Sequence, residues 1–360
     1  MIAGIKECKS ILIIKLSSIG DVVMTTSVAE TLRREYPSAH IAWIVEEKSK
    51  DALIGNPFID EVIVWRRSAG KRRGLSKYIR FIPSLYELGN ELKKHNFDIA
   101  IDFQGLLRSA LVGVASGAKY RIGSDDAGEC ATLFYNKHAY MPERMPENAR
   151  RHVTLLELIR VFSENSRMFF PVSDSDRLFA RGFLAEEDRP GTKYAGFVGM
   201  CPATTWAQKH WTEEGWAALA DRLAAEYSLL PVFLGSKADQ ALILRIMSKM
   251  ERRAANAAGN TTLNQAGAIM EQCSVVFAVD TGLLHISMAL DRPTVGIFGP
   301  TYWSHFTKHD NFVPVRSTRE CMPCLRHPTC EKFDCMTELS ADDVLLAAES
   351  MLSSYVINHA

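Results

Sequence analysis

Ile11-Leu12-Ile13-Ile14-Lys15-Leu16-Ser17-Ser18-Ile19-Gly20-Asp21-Val22 is the stretch that decides the fold. Its first residues form a short β-branched run, which predicts a buried strand and is far too short to span a bilayer. Ser17 to Asp21 reads as a turn. From Val22 to Glu35 apolar residues recur at helical spacing, and Tyr36-Pro37 stops that helix. A buried strand, a tight turn and a helix are the opening of a βαβ unit.

Outward from this stretch the pattern repeats. His40 to Val45 and Val62 to Trp65 predict strands, Pro83 to Lys94 a helix, and Asp98 to Phe103 another strand. The alternation weakens between Pro142 and Pro190, where a helix from His152 to Phe162 is expected, and the domain boundary is placed near Asp174 to Thr192. It then restarts. Tyr194 to Cys201, Leu230 to Leu234, Val275 to Val279 and Thr294 to Phe298 read as strands. Trp211 to Glu226, Ala238 to Met250, Leu263 to Gln272 and Leu283 to Leu290 read as helices. The expected fold class is α/β, with two doubly wound Rossmann-like domains over residues 1–180 and 190–340 and a C-terminal helix over 341–360. Two such domains facing each other would place a central ligand cleft at the carboxyl ends of their strands.

The 360 residues exceed what one core usually supports. With 42 basic and 42 acidic residues the net charge is zero, which argues against a nucleic-acid binder. No signal peptide or membrane-length segment is read, so the chain is expected to be cytoplasmic, at most peripheral on a membrane surface. Eight cysteines in a chain of this length do not suggest a disulfide scaffold.

Several turns carry chemistry. Asp21 has two readings: a helix N-cap, contributing about 0.5–2 kcal/mol, or a carboxylate that takes a proton from an attacking hydroxyl. Thr204 and Thr205, with Lys209 four residues on, suit phosphate oxygens, or form an ordinary polar loop. Asp280-Thr281-Gly282-Leu283-Leu284-His285 opens a helix at a strand end, where unpaired N–H groups suit a diphosphate. There Asp280 either caps the helix or holds Lys209, and His285 either donates to an oxygen or is a core histidine. Asp239, after Gly235-Ser236, is either a ribose acceptor or a cap. Between Arg66 and Arg80 lie Arg66, Arg67, Lys71, Arg72, Arg73, Lys77 and Arg80 without an acidic residue. This run is either a solvated loop or a site for an anionic acceptor or membrane surface, which Arg108, Arg121, Arg150 and Arg151 could extend. Cys321, Cys324, Cys330 and Cys335 form a compact set that suits structural zinc or an iron–sulfur cluster, or stays as free thiols.

The ordered set of motifs resembles the bacterial heptosyltransferases of glycosyltransferase family 9. It comprises Lys15 to Val22, Asp102-Phe103-Gln104-Gly105-Leu106-Leu107-Arg108-Ser109-Ala110 and Leu133-Phe134-Tyr135-Asn136. Thr204-Thr205 with Lys209-His210-Trp211, Asp280 to His285, Ala289 to Pro293 and Gly299-Pro300-Thr301 complete it. The resemblance implies a GT-B fold, and inverting transfer of heptose from ADP-heptose to the lipopolysaccharide inner core with no metal required. It implies Asp21 as general base. It assigns Thr204, Thr205, Lys209, Asp239, Thr261, Asp280, Thr281, Gly282 and His285 to the donor. Ser17, Ser18, Gln104 and the arginines at 66, 67, 72, 73, 108 and 121 fall to the acceptor. A monomer is expected. The N-terminal half resembles enzymes adding the first heptose, whereas the cysteine cluster resembles one found in some second-heptose members. Other expectations stay open: another nucleotide sugar such as an N-acetylhexosamine donor, a GT-B epimerase, or a glycan-binding protein without activity.

Overall fold

The structure is a computed structural model that describes residues 8–66, 76–141, 148–162, 167–187, 194–303, 310–325 and 330–359. The chain divides into two compact units, Met1–Pro171 and Val172–Ala360.

The first unit contains, in chain order, β1 (Ser10–Ile14), α1 (Ile19–Thr25), α2 (Ser27–Glu35), β2 (His40–Glu46), β3 (Glu61–Trp65), α3 (Ser76–Leu92), β4 (Ile99–Asp102), α4 (Leu107–Ala115), β5 (Tyr120–Ser124), β6 (Lys137–Ala139) and α5 (Asn148–Glu157). Its strands form one parallel sheet in the order β3-β2-β1-β4-β5-β6. β1 lies centrally and is buried along its whole length, as a continuous apolar run in a parallel sheet should be.

The second unit contains α6 (Asp174–Glu187), β7 (Gly196–Cys201), α7 (Glu213–Glu226), β8 (Leu229–Phe233), α8 (Gln240–Met247), β9 (Ala255–Asn256), α9 (Leu263–Glu271), β10 (Cys273–Val279), α10 (Gly282–Ala289), β11 (Thr294–Phe298), β12 (Phe312–Arg316), α11 (Asp334–Thr337) and α12 (Ala341–His359). Its parallel sheet runs β12-β11-β10-β7-β8-β9. Counted from its own first strand, this is the same winding as in the first unit. Both are the doubly wound Rossmann order.

Two differences from the sequence reading have physical causes. The single helix expected from Val22 to Glu35 is broken at Thr26. There three consecutive hydroxyls turn back on the main chain: Thr25 Oγ1 donates to Asp21 O (2.7 Å), Thr26 Oγ1 to Val23 O (2.6 Å) and Ser27 Oγ to Met24 O (3.1 Å). Such back-bonding bends helices. The units part between Pro171 and Val172, ahead of the expected 174–192 boundary. α6 belongs to the second unit, where Arg177 makes a bidentate pair with Glu271 of α9 at 2.8 and 2.9 Å. The expected C-terminal helix is present as α12. Its Val344, Leu345, Ala348 and Leu352 are buried in the second unit's core with Val279, Ile297 and Val315. Among the described residues, no helix is long and apolar enough to cross a membrane.

Candidate active site

In a doubly wound sheet the two chain directions diverge at the switch point, and the loops beyond the strand ends there open a crevice. In the first unit the switch lies between β1 and β4, in the second between β7 and β10. The four loops that leave these strands are Ser17–Asp21, Phe103–Leu106, Pro202–Lys209 and Asp280–Gly282. They carry most of the residues singled out from the sequence.

In the first unit the two loops are tied together. Gln104 Oε1 accepts from the Leu16 and Ser17 amides, both at 3.2 Å. Arg108 Nη2 donates to Ser17 Oγ at 3.0 Å, and Nη1 lies 3.3 Å from Glu46 Oε1 at the carboxyl end of β2. Beneath them Asp102 is buried. Its Oδ1 accepts from the Gln104 and Gly105 amides (2.8 and 3.1 Å) and its Oδ2 from the Tyr135 hydroxyl (2.7 Å). Burial holds the Asp102 carboxyl above its ordinary range.

Asp21 sits at the third position of α1, not at its cap. Ser18 is the cap, and Asp21 Oδ2 accepts from the Ser18 amide (3.1 Å) and hydroxyl (2.8 Å), the reciprocal arm of a capping box. Asp21 is half-buried, so the cap orients the carboxylate without enclosing it. Behind it lies Lys15, whose buried ammonium donates to Phe103 O at 3.2 Å. Burial lowers the Lys15 pKa, opposed first by the Asp21 carboxylate and then by Asp102. His152, buried, faces Thr25 Oγ1 at 3.4 Å. Burial, then the Lys15 charge, pushes its pKa down to about 3. The sequence reading passed over Lys15, Glu46 and His152. A charged residue ending an apolar strand was the available signal for the first two.

The second unit bridges its switch point in the same manner. Thr204 Oγ1 donates to Asp280 O at 3.1 Å, and Lys209 Nζ lies 2.6 Å from Asp280 Oδ2. The Lys209 ammonium also sits 4.3 Å from the Trp206 ring centre, a contact absent from the sequence reading. His210 Nε2 meets Thr204 O at 2.9 Å, and Thr205 is exposed. Thr281 is the cap residue of α10, so Asp280 is the partner of Lys209 and not the helix cap. Gly282 begins the helix, and His285 on its first turn is buried. Asp239 repeats the Asp21 arrangement: its Oδ2 accepts from the Ser236 amide (2.8 Å) and hydroxyl (2.7 Å). Thr261 Oγ1 donates to Ala257 O at 3.2 Å, on the loop beyond β9.

Among the remaining candidates, Arg66 is exposed and pairs with Glu47 at 3.1 Å. Arg67, Arg72 and Arg73 lie outside the described residues. The Arg121 guanidinium is spent on main-chain carbonyls, donating to Phe134 O (2.9 Å) and Ala118 O (3.4 Å). Of the four clustered cysteines, Cys335 is buried, Cys324 and Cys330 are half-buried and Cys321 is exposed. Burial, reinforced by the other three thiols, pushes Cys335 up to about 11. Among the described residues, no three of these sulfurs lie within the 4.8 Å of one another that a shared ion would need.

Two doubly wound Rossmann-like units, each with polar loops at its switch point, are the architecture of the GT-B fold. The sequence pattern described as Glycosyltransferase family 9 (heptosyltransferase) matches residues 85–333, and the chain belongs to that family of enzymes. It is 30% identical to lipopolysaccharide heptosyltransferase 1 of Pseudomonas aeruginosa, over 95% of this chain and 98% of that protein. Two solved structures share the fold. A family 9 glycosyltransferase from Veillonella parvula matches with a TM-score of 0.80 and 22% identity, covering 96% of this chain and 97% of the other. The ADP-heptose lipopolysaccharide heptosyltransferase II of E. coli matches with a TM-score of 0.75 and 22% identity, covering 96% and 99%.

Proposed function

We propose that the protein transfers heptose from ADP-heptose to the lipopolysaccharide inner core in one inverting displacement, with Asp21 as general base. The acceptor hydroxyl gives its proton to Asp21 as its oxygen bonds to the anomeric carbon. The bond from that carbon to the diphosphate oxygen breaks, and ADP leaves with the electron pair. Negative charge grows on the leaving diphosphate, which is where fixed donors lower the barrier most.

The observation that carries this reading is Lys209, held beside the start of α10 by Asp280. A cation and a helix N-terminus together form a site for a diphosphate that needs no metal for charge. In this reading Thr204, Thr205, Thr281, Gly282 and His285 line the diphosphate, Asp239 meets the ribose and Thr261 lies toward the adenine. Ser17, Ser18, Gln104 and Arg108 position the acceptor. The basic run from Arg66 to Arg80 draws the protein to the anionic cytoplasmic face of the inner membrane. The name of the Pseudomonas aeruginosa relative supports heptose as the sugar and lipopolysaccharide as the acceptor.

The test is a set of nucleotide sugars offered with a heptose-free lipopolysaccharide core, read by mass. Gain of one heptose with release of ADP is the expected result. Gain of an N-acetylhexosamine, or conversion of donor without acceptor, would overturn the assignment.

A further inference from the structure

The opposite edge of the first sheet carries a cluster that the transfer reaction does not use. His40 is the first residue of β2 and Glu61 the first of β3. Glu61 registers with Ala42, so His40, two residues before Ala42, shares its face of the sheet. That face is covered by α3: Ala42 and Ile63 are buried with Leu88 and Leu92. α3 carries the chain back from the carboxyl ends of the strands to their amino ends. The turn that follows it, Lys93–His95, delivers His95 to the same spot, and Asn96 then reverses direction in the left-handed region at φ 49°. Three residues distant in sequence thus meet because of the crossover.

We propose that His40, Glu61 and His95 form a binding site for a divalent transition-metal ion of the zinc class. Glu61 Oε2 lies 3.2 Å from His40 Nε2 and 3.5 Å from His95 Nδ1. All three ligand atoms lie within 4.8 Å of one another. Bonds of about 2.0–2.1 Å at tetrahedral angles put neighbouring ligand atoms about 3.3–3.4 Å apart. The two separations to Glu61 bracket that spacing. Two imidazoles and one carboxylate favour zinc, copper or nickel over magnesium and calcium, which prefer all-oxygen shells.

The His95 ring is held in place. His95 stacks on Phe97 with centroids 5.2 Å apart, whereas His40 and His95 stand parallel, 1° and 5.6 Å apart, so the more exposed His40 ring turns to aim its nitrogen at a shared ion. Asp60 Oδ2 stands 4.0 Å from the second nitrogen of His40, just beyond hydrogen-bond reach. Asp60 is itself fixed by the Ile41 amide (2.7 Å) and Arg33 (2.5 Å). The three side chains are 39%, 38% and 21% exposed, so an ion can enter from solvent and keep a water as its fourth ligand. The site joins the starts of β2 and β3 to the end of α3, at the strand ends remote from Asp21. Its role is to clamp the fold, with no part in the transfer.

The competing explanation is a plain histidine–carboxylate ion pair. Zn²⁺ titration of tag-free, chelator-stripped protein against a chromophoric indicator separates the two. Wild type, His40→Gln, His95→Gln and the Cys321→Ser/Cys324→Ser double variant are compared. The proposal expects each histidine variant to lose one equivalent of zinc and the zinc-induced rise in melting temperature, while the cysteine variant keeps both. Equal stoichiometry in wild type and the histidine variants overturns it, as does loss of all zinc in the cysteine variant. Should the histidine variants fail to fold, Co²⁺ added to the cysteine variant decides. A d–d spectrum without thiolate charge transfer supports the site, and no Co²⁺ spectrum overturns it.

Discussion

Lys209 Nζ lies 2.6 Å from Asp280 Oδ2, and both side chains are largely buried, 14% and 16% exposed. The cation is thus parked at the start of α10 before any anion arrives. Asp280 neutralises it at rest, and the Trp206 ring limits where it can swing. A charged hydrogen bond contributes about 1.5–3 kcal/mol, or about tenfold to a hundredfold in affinity. Lys209→Ala is expected to weaken ADP binding by that factor in calorimetry. Asp280→Asn keeps the cation but loses its anchor, so its expected effect on ADP affinity is smaller and its effect on turnover larger.

Asp21 is both a helix-cap acceptor and the proposed base, and two substitutions separate the roles. Asp21→Asn is expected to leave ADP affinity unchanged and to reduce transfer by a factor on the order of 10²–10⁴. Ser18→Ala removes the hydroxyl donor at 2.8 Å and is expected to cost about 0.5–2 kcal/mol of stability with a far smaller loss of turnover. Paired denaturant melts and mass-detected initial rates check both. Near wild-type rates in Asp21→Asn would make the carboxylate a cap alone.

His152 predicts a pH dependence of stability. Folded, its pKa is near 3; unfolded, it returns to about 6.5. Between those values the unfolded chain binds the extra proton, so stability falls as pH falls, by up to about 1.4 kcal/mol per pH unit. Above about 6.5 this contribution is flat. Its Nδ1 has no hydrogen-bond partner among the described residues, and the Asp21 charge offsets burial only in part. Urea unfolding from pH 7 to pH 4.5 should show this slope in wild type and lose it in His152→Gln. Parallel curves for the two proteins would dismiss the assignment.

With Lys209 and the start of α10 supplying positive charge, the proposed reaction needs no Mg²⁺. Initial rates are expected to be the same with Mg²⁺ present and after brief EDTA treatment. A rate that rises with Mg²⁺ would mean that the leaving diphosphate is neutralised by an ion.

The winding of both halves was legible because their central strands are unbroken apolar runs. Ile11 to Ile14 and Val275 to Val279 can be buried in no other way in a chain of alternating strands and helices. Edge elements were harder to read. β6 and β9 are three and two residues long, and β12 contains Pro314. Site loops could be located, but the role of each side chain depended on contacts across the switch point. Whether Asp280 caps α10 or holds Lys209 is decided by a residue 71 positions away. The His40, Glu61 and His95 cluster left no sequence pattern, since crossover geometry alone brings it together.

The Ser18–Asp21 cap has a kinetic corollary. In the proposed reaction the carboxylate gains a proton each time a glycosidic bond forms, and a neutral acid is a weaker acceptor than a carboxylate. The Ser18 amide and hydroxyl then lose much of what they donate to. The first turn of α1 would thus loosen once per catalytic cycle and tighten again when the proton departs to solvent. Resetting the enzyme and re-forming that turn would be one event.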